Sequence, residues 1–122
     1  MTDNLLVDTN AVIYALRGVP YVTKLLDNQI INISFITEIE LLSWPQLSEQ
    51  EKGLIKKFID SCRVIEYSSQ LKDEVIEIRK KFKLKIADAF IAATAIQYDL
   101  PLVSADIAFD KIKGINFLKI NL

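Results

Sequence analysis

The sequence predicts an α/β protein, a three-layer α/β/α sandwich built on a parallel sheet of about five strands. Two observations predict it. Short apolar runs alternate with longer stretches whose apolar residues recur at helical spacing. The helical stretches are long enough to carry the chain back across a sheet, so successive strands can lie parallel with helices on both faces.

Each element has its own signal. LLV (5–7) reads as a buried strand that ends on Asp8. AVIYALRG (11–18) reads as a helix closed by Gly18, and Pro20 suits the first turn of a second helix running to Asn28. IINIS (30–34) is β-rich, and Thr37 then opens a helix to about Leu42 that Trp44-Pro45 ends. SEQEKGLIKKFIDS (48–61) carries a serine cap and early acids, with Leu54, Ile55, Phe58 and Ile59 on one face. RVIEY (63–67) is a third strand and QLKDEVIEIRKKF (70–82) an amphipathic helix. KIADAFIAATAIQYD (85–99) is a helix apolar on every side, PLVS (101–104) a fourth strand, residues 106–113 a short helical turn, and INFLKI (115–120) a fifth strand.

The 122 residues fit one domain spanning 1–122, long enough to bury roughly 65–70% of the unfolded chain's surface. The formal charge of −1 argues against a generally polybasic coat while leaving room for a local basic patch. No histidine is present and Cys62 is the only cysteine. That excludes Ser-His-Asp and Cys-His catalysis, an internal disulfide, and zinc held by sulfur or imidazole. Glycine is too scarce for a phosphate-binding loop. The N-terminus lacks the features of a secretory signal, and no apolar run approaches the ~20 residues that span a bilayer. The expected location is the cytoplasm.

Chemistry must therefore run on carboxylates, hydroxyls, amides, amines, or a metal held by oxygen. In parallel α/β sheets functional groups gather beyond the carboxyl ends of strands. Asp8 ends the first strand, and Asp106 follows the fourth in LVSAD. Glu38 or Glu40, and Asp88, lie near helix starts. Asp88 is the only charge in IADAFIAATAI (86–96), where burying a bare carboxylate needs a cation, several donors or a raised pKa. Each acid also admits a plain reading. Asp8 and Asp106 can cap the turns that follow them, Asp88 suits a helix dipole, and Thr37-x-x-Glu40 matches a capping box. Converging on one point, the four would repel one another. Hard oxygen donors around a shared point suit Mg²⁺ or Mn²⁺, which could activate water against a phosphodiester. Thr9, Asn10 and Ser104 then read as donors that aim the ligands, or as ordinary turn and cap polarity.

Four segments carry a resemblance: LLVDTNAVIY (5–14), ISFITEIELL (33–42), KIADAFIAATA (85–95) and LVSADIAFDKI (102–112). In order, spacing and total length the chain resembles the PIN-domain ribonucleases, most closely the short VapC-type toxins of type II toxin–antitoxin systems. The resemblance puts the family's acids on Asp8, Glu40 (rather than Glu38), Asp88 and Asp106, as catalytic residues and metal ligands. Many members carry one more acid where this chain has Ala108, and Asp110 is a poor positional substitute. The family implies strand order 3-2-1-4-5, cleavage of RNA with Mg²⁺ or Mn²⁺, frequent assembly as a homodimer, and inhibition by a small antitoxin, with the helices at 21–28 and 37–43 as the place where an antitoxin or a second subunit could dock.

RKKFKLK (79–85) supplies Arg79, Lys80, Lys81, Lys83 and Lys85 ahead of Asp88. These five could hold RNA phosphates, or could simply be solvated cations at a helix end, and Arg17 is a weaker candidate of the same kind. Trp44-Pro45, with Leu41, Leu42 and Leu47, could form a partner surface or pack into the core. Two other functional classes compete with this reading. A phospho-accepting receiver-like domain wants an acidic pair after its first strand, but Thr9 follows Asp8. A catalytically inactive interaction module of the same fold would have no use for four acids.

Overall fold

The computed structural model describes residues 3–121. Five parallel strands, β1 (Asn4–Val7), β2 (Ile30–Ser34), β3 (Arg63–Ile65), β4 (Leu102–Ser104) and β5 (Phe117–Lys119), form one sheet in the order β3-β2-β1-β4-β5. The helices are α1 (Thr9–Leu16), α2 (Pro20–Leu26), α3 (Phe35–Leu42), α4 (Glu49–Ser61), α5 (Ser69–Lys81) and α6 (Ile86–Gln97). A 3-10 turn, Ile107–Phe109, follows β4.

Alternation along β1 creates the three layers. Leu5 and Val7 point to one face and join Val12, Val22, Leu41 and Ile55 from α1 to α4. Leu6 points to the other face and joins Leu71, Val75, Ile78 and the small residues of α6. The alanines Ala89, Ala92, Ala93 and Ala95 let α6 sit close against the sheet and α5. Among the described residues, no helix is long and apolar enough to cross a membrane.

Local signals explain most boundaries. The Asp8 carboxylate accepts the Ala11 N–H and starts α1, and Gly18, at φ 76°, lets the chain turn away after it. Ser48 and Glu51 make the reciprocal capping box of α4. Pro20 opens α2, which ends at Leu26 rather than Asn28, because Asn28 adopts a left-handed φ of 61°.

The start of the third helix is a correction. Thr37 does not open it, and Thr37 with Glu40 is not a capping box. The strand β2 runs straight into α3, and the Ser34 hydroxyl accepts the Ile36 N–H at 3.1 Å. Glu40 therefore lies in the body of the helix, with its carboxylate available for other work. The final strand is also shorter than INFLKI, reduced to Phe117–Lys119.

Candidate functional site

The carboxyl ends of β1, β2 and β4 point to the same edge of the sheet, and a cleft opens there. Asp8, Glu40, Asp88 and Asp106 line one open cleft with Thr9, Asn10, Ser43, Trp44, Pro45 and Ile91. Among the described residues, no lysine or arginine lines it. Among the described residues, the ion pairs are Lys52–Glu49 and Lys80–Glu77, both elsewhere on the surface.

Asp8 is the anchored member. It is 6% exposed, and both of its oxygens are engaged. Oδ1 accepts the Ala11 N–H at 2.9 Å, and Oδ2 accepts the Ser104 hydroxyl at 2.5 Å. Ser104, buried at the end of β4, also accepts the Asp106 N–H at 3.0 Å, so one hydroxyl ties two of the acids together. Burial is the largest influence on Asp8 and raises its pKa from 3.8 to about 6. The Ser104 and Ala11 hydrogen bonds pull the other way, while Asp88 and Asp106 push it further up.

Glu40 is held from the opposite side. The Thr9 hydroxyl donates to Glu40 Oε1 at 2.5 Å. Thr9 Oγ1 also lies 3.1 Å from the hydroxyl of Thr37, which is fully buried. A single proton on Thr9 goes to the carboxylate, which leaves Thr37 as the donor to Thr9. Asp106 Oδ1 accepts the Ala108 N–H at 2.9 Å and caps the 3-10 turn. Asp88 sits in the first turn of α6, half buried, with no hydrogen-bond donor on its carboxylate among the described residues. Its pKa is raised first by burial, then by Asp106 and Glu40, and lowered by Lys85.

Asp8 and Asp106 each cap a turn and also line the cleft. Glu40 rather than Glu38 lines the cleft. Thr9 and Asn10 line it as well, while Ser104 reaches it through Asp8. The basic run is dispersed, and none of its five cations lines the cleft. Lys85 is the one that acts electrostatically on Asp88. Arg79 Nε donates to the Leu84 carbonyl at 3.2 Å, Lys80 lies 3.7 Å from Glu77, and Lys81 and Lys83 are exposed. Two features escaped the sequence reading. Trp44 and Pro45 form a wall of the cleft, and Thr37 supports Thr9; the three-residue step from Thr37 to Glu40 on one helix face was the available signal.

The donor set fits a hard divalent cation in kind, since every candidate ligand is an oxygen and the local charge is negative. Among the described residues, no three acids, histidines or cysteines stand close enough together to grip one ion as they are. The physical reason is visible in the hydrogen bonds. Without a counter-charge the carboxylates repel, and each of Asp8, Glu40 and Asp106 takes a local donor instead.

The family model of the PIN domain matches residues 5–115. The chain belongs to the PIN-domain family. Several solved PIN-fold chains superpose over nearly the whole molecule. One comes from VapBC2 of Rickettsia felis bound to a promoter DNA fragment, with 25% identity, a TM-score of 0.82, and coverage of 95% of this chain and 98% of that one. Another comes from a toxin–antitoxin complex of Klebsiella pneumoniae, with 25% identity, a TM-score of 0.80, and coverage of 91% and 94%. DNA-bound VapBC from Salmonella typhimurium, at 24% identity and a TM-score of 0.82, covers 98% of both chains and shares the fold. Comparison with curated proteins gave no match.

Proposed function

We propose that this PIN domain is a metal-dependent endoribonuclease and the toxin of a toxin–antitoxin pair. The observation that carries the reading is the cleft itself. Carboxylates from four distant parts of the chain line one cavity that contains no lysine or arginine. Such an arrangement is unfavourable unless a cation joins it.

Asp8, Glu40, Asp88 and Asp106 would hold Mg²⁺ or Mn²⁺, and closing around the ion offsets their mutual repulsion. The ion supplies positive charge that polarises the scissile phosphodiester and makes water more acidic. The protein's own groups do the rest. Ser104 fixes Asp8, and the Thr37–Thr9 hydroxyl pair fixes Glu40, so two acids are aimed before substrate arrives. Asp88, with no donor on it, can orient a water and accept its proton. Asn10 is exposed at the cleft and can donate to a phosphate oxygen. Arg79, Lys80, Lys81, Lys83 and Lys85 would hold the RNA backbone, with Lys85 nearest the acids.

Two relatives at 25% identity were solved as, or from, toxin–antitoxin assemblies, which supports the toxin reading. A surface suited to an antitoxin adjoins the cleft. Ile13, Leu16, Leu41, Trp44, Leu47 and Leu54 line an apolar hollow, with Leu42 exposed beside it. Trp44 lines both the hollow and the cleft, so a partner seated in one reaches the other. The protein would act as a cytoplasmic homodimer, as a single domain over 1–122. The test is to sequence the RNA ends produced by purified protein with Mg²⁺ or Mn²⁺, beside Asp8→Asn. Defined new ends that vanish in the variant and in EDTA are expected. Full activity in excess EDTA would overturn the metal dependence, and no cleavage of any RNA would leave an inactive interaction module.

A further inference from the structure

The acids account for only part of the cleft. Its remaining lining includes three apolar residues, Trp44, Pro45 and Ile91. Two of these stand about one helical turn beyond an acid. Ile91 follows Asp88 by three residues along α6, and Trp44 follows Glu40 by four, just past the end of α3. Apolar surface therefore adjoins the carboxylates, and neither a cation nor a phosphate has any use for it. The cavity measures about 320 Å³, within the roughly 300–1,000 Å³ of small-ligand sites.

Trp44 is held in place without being covered. Ser43 ends α3, its N–H donating to the Ile39 carbonyl at 2.9 Å and its hydroxyl to the same oxygen at 2.6 Å. Pro45 fixes its own φ, and Gln46 turns the chain with a left-handed φ of 63°. Trp44 lines the neighbouring hollow as well, so its side chain stands between the two cavities. It is nevertheless 38% exposed, and among the described residues no other aromatic side chain lines the cleft.

A flat, anchored, partly open ring beside a phosphodiester site matches a nucleobase. Every base has a π-face, and stacking on an aromatic side chain tolerates any sequence. Under the nuclease reading the phosphodiester lies on the acids, and the base next to it rests on whatever adjoins them. We propose that Trp44, with Pro45 and Ile91 beside it, stacks on a base flanking the scissile bond and so positions the RNA for cleavage. Bases in a duplex are already stacked on one another, so this shelf selects unpaired RNA. The inference deepens the nuclease reading and rests on it.

Trp44 is the only tryptophan of the chain, so its emission reports directly on the shelf. The first arm titrates uridine 5′-monophosphate, with ribose 5-phosphate as the base-free control, into wild type with Mg²⁺. The nucleotide should quench the emission saturably and the sugar phosphate should not. The second arm uses a single-stranded RNA that wild type cuts, with the base on either side of the cleaved bond removed in turn. Trp44→Leu keeps apolar bulk and Trp44→Phe keeps an aromatic face, and melting profiles check that both are folded. On intact RNA, Trp44→Leu should lose roughly 10–100-fold in kcat/KM and Trp44→Phe far less. Removing one of the two bases should cost wild type a similar factor and Trp44→Leu nothing further. Emission that ignores the nucleotide, or is quenched equally by the sugar phosphate, would overturn the shelf. Full activity in Trp44→Leu would overturn it too. So would equal losses from base removal in wild type and Trp44→Leu, which would leave Trp44 a support of the fold or an anchor for a partner. If wild type cuts no RNA, the nuclease reading falls, and the first arm then decides the shelf alone.

Discussion

The two ends of the sheet both bury polar side chains, and they do so in opposite ways. At the amino-terminal edge, Asn32 is 1% exposed, in the middle of β2. Its amide donates to the Leu5 carbonyl at 3.1 Å and to Asn4 Oδ1 at 3.2 Å, and Arg63 reaches the same Asn4 oxygen at 3.5 Å. Neutral groups are satisfied there by neighbours in the sheet. At the carboxyl-terminal edge the buried and half-buried groups are carboxylates, and among the described residues no lysine or arginine forms an ion pair with them. The first arrangement fixes strand register and is complete. In the second, hydroxyls and backbone amides are the donors to Asp8, Glu40 and Asp106, and the negative charge is left unbalanced by any ion pair among the described residues.

This contrast predicts mutational effects of opposite sign. The largest expected effect is at Asp8. Its folded pKa of about 6 lies above the unfolded value of 3.8, so the folded state binds the proton more tightly. Stability is then highest at low pH and falls as pH rises from about 4 to about 6, with the full penalty above that window. About two pK units correspond to roughly 3 kcal/mol. Asp8→Asn keeps an acceptor for Ala11 and a group for Ser104 without the charge. It should raise stability at neutral pH by up to roughly 3 kcal/mol while abolishing cleavage, as read by denaturant melts and RNA digestion. A destabilised Asp8→Asn protein would break the contrast.

Asn32→Ala should do the reverse. It removes the side-chain donor to the Leu5 carbonyl and leaves Asn4 Oδ1 only Arg63 at 3.5 Å, and should lower stability by about 1–3 kcal/mol at every pH, with RNA cleavage per folded molecule unchanged. Ser104→Ala removes a hydrogen bond that favours ionised Asp8. The Asp8 pKa should rise further, which the pH dependence of unfolding would register, and cleavage should fall by roughly 10–100-fold. Lys85→Ala has the smallest expected effect. It removes a charge that lowers the Asp88 pKa, so the acid limb of the pH–rate profile should move slightly upward with little change in melting temperature.

Much of this was legible in the sequence for identifiable reasons. The unbroken apolar run Leu5–Val7, buried on both faces of the sheet, and the cap signals at Asp8 and Ser48 mark elements that local chemistry alone decides. The strand order was not readable from periodicity and entered through the family resemblance. The start of α3 was misread because two cap-like residues, Ser34 and Thr37, lie three apart, and only the end of β2 selects between them. The five cations of RKKFKLK are adjacent in sequence, but the end of α5 and the turn into α6 send them in different directions. Convergence of the four acids was inferable in outline. The donor that each takes in the absence of a cation depends on side-chain positions that no spacing encodes.

The most direct measurement is the melting temperature at pH 7.5–8 as Mn²⁺ is added, for wild type and for Asp88→Asn. Wild type should gain stability with increasing metal by linkage, and the variant should gain far less. A melting temperature that ignores the metal, or one that rises equally in both proteins, would contradict a cleft whose carboxylates share a cation.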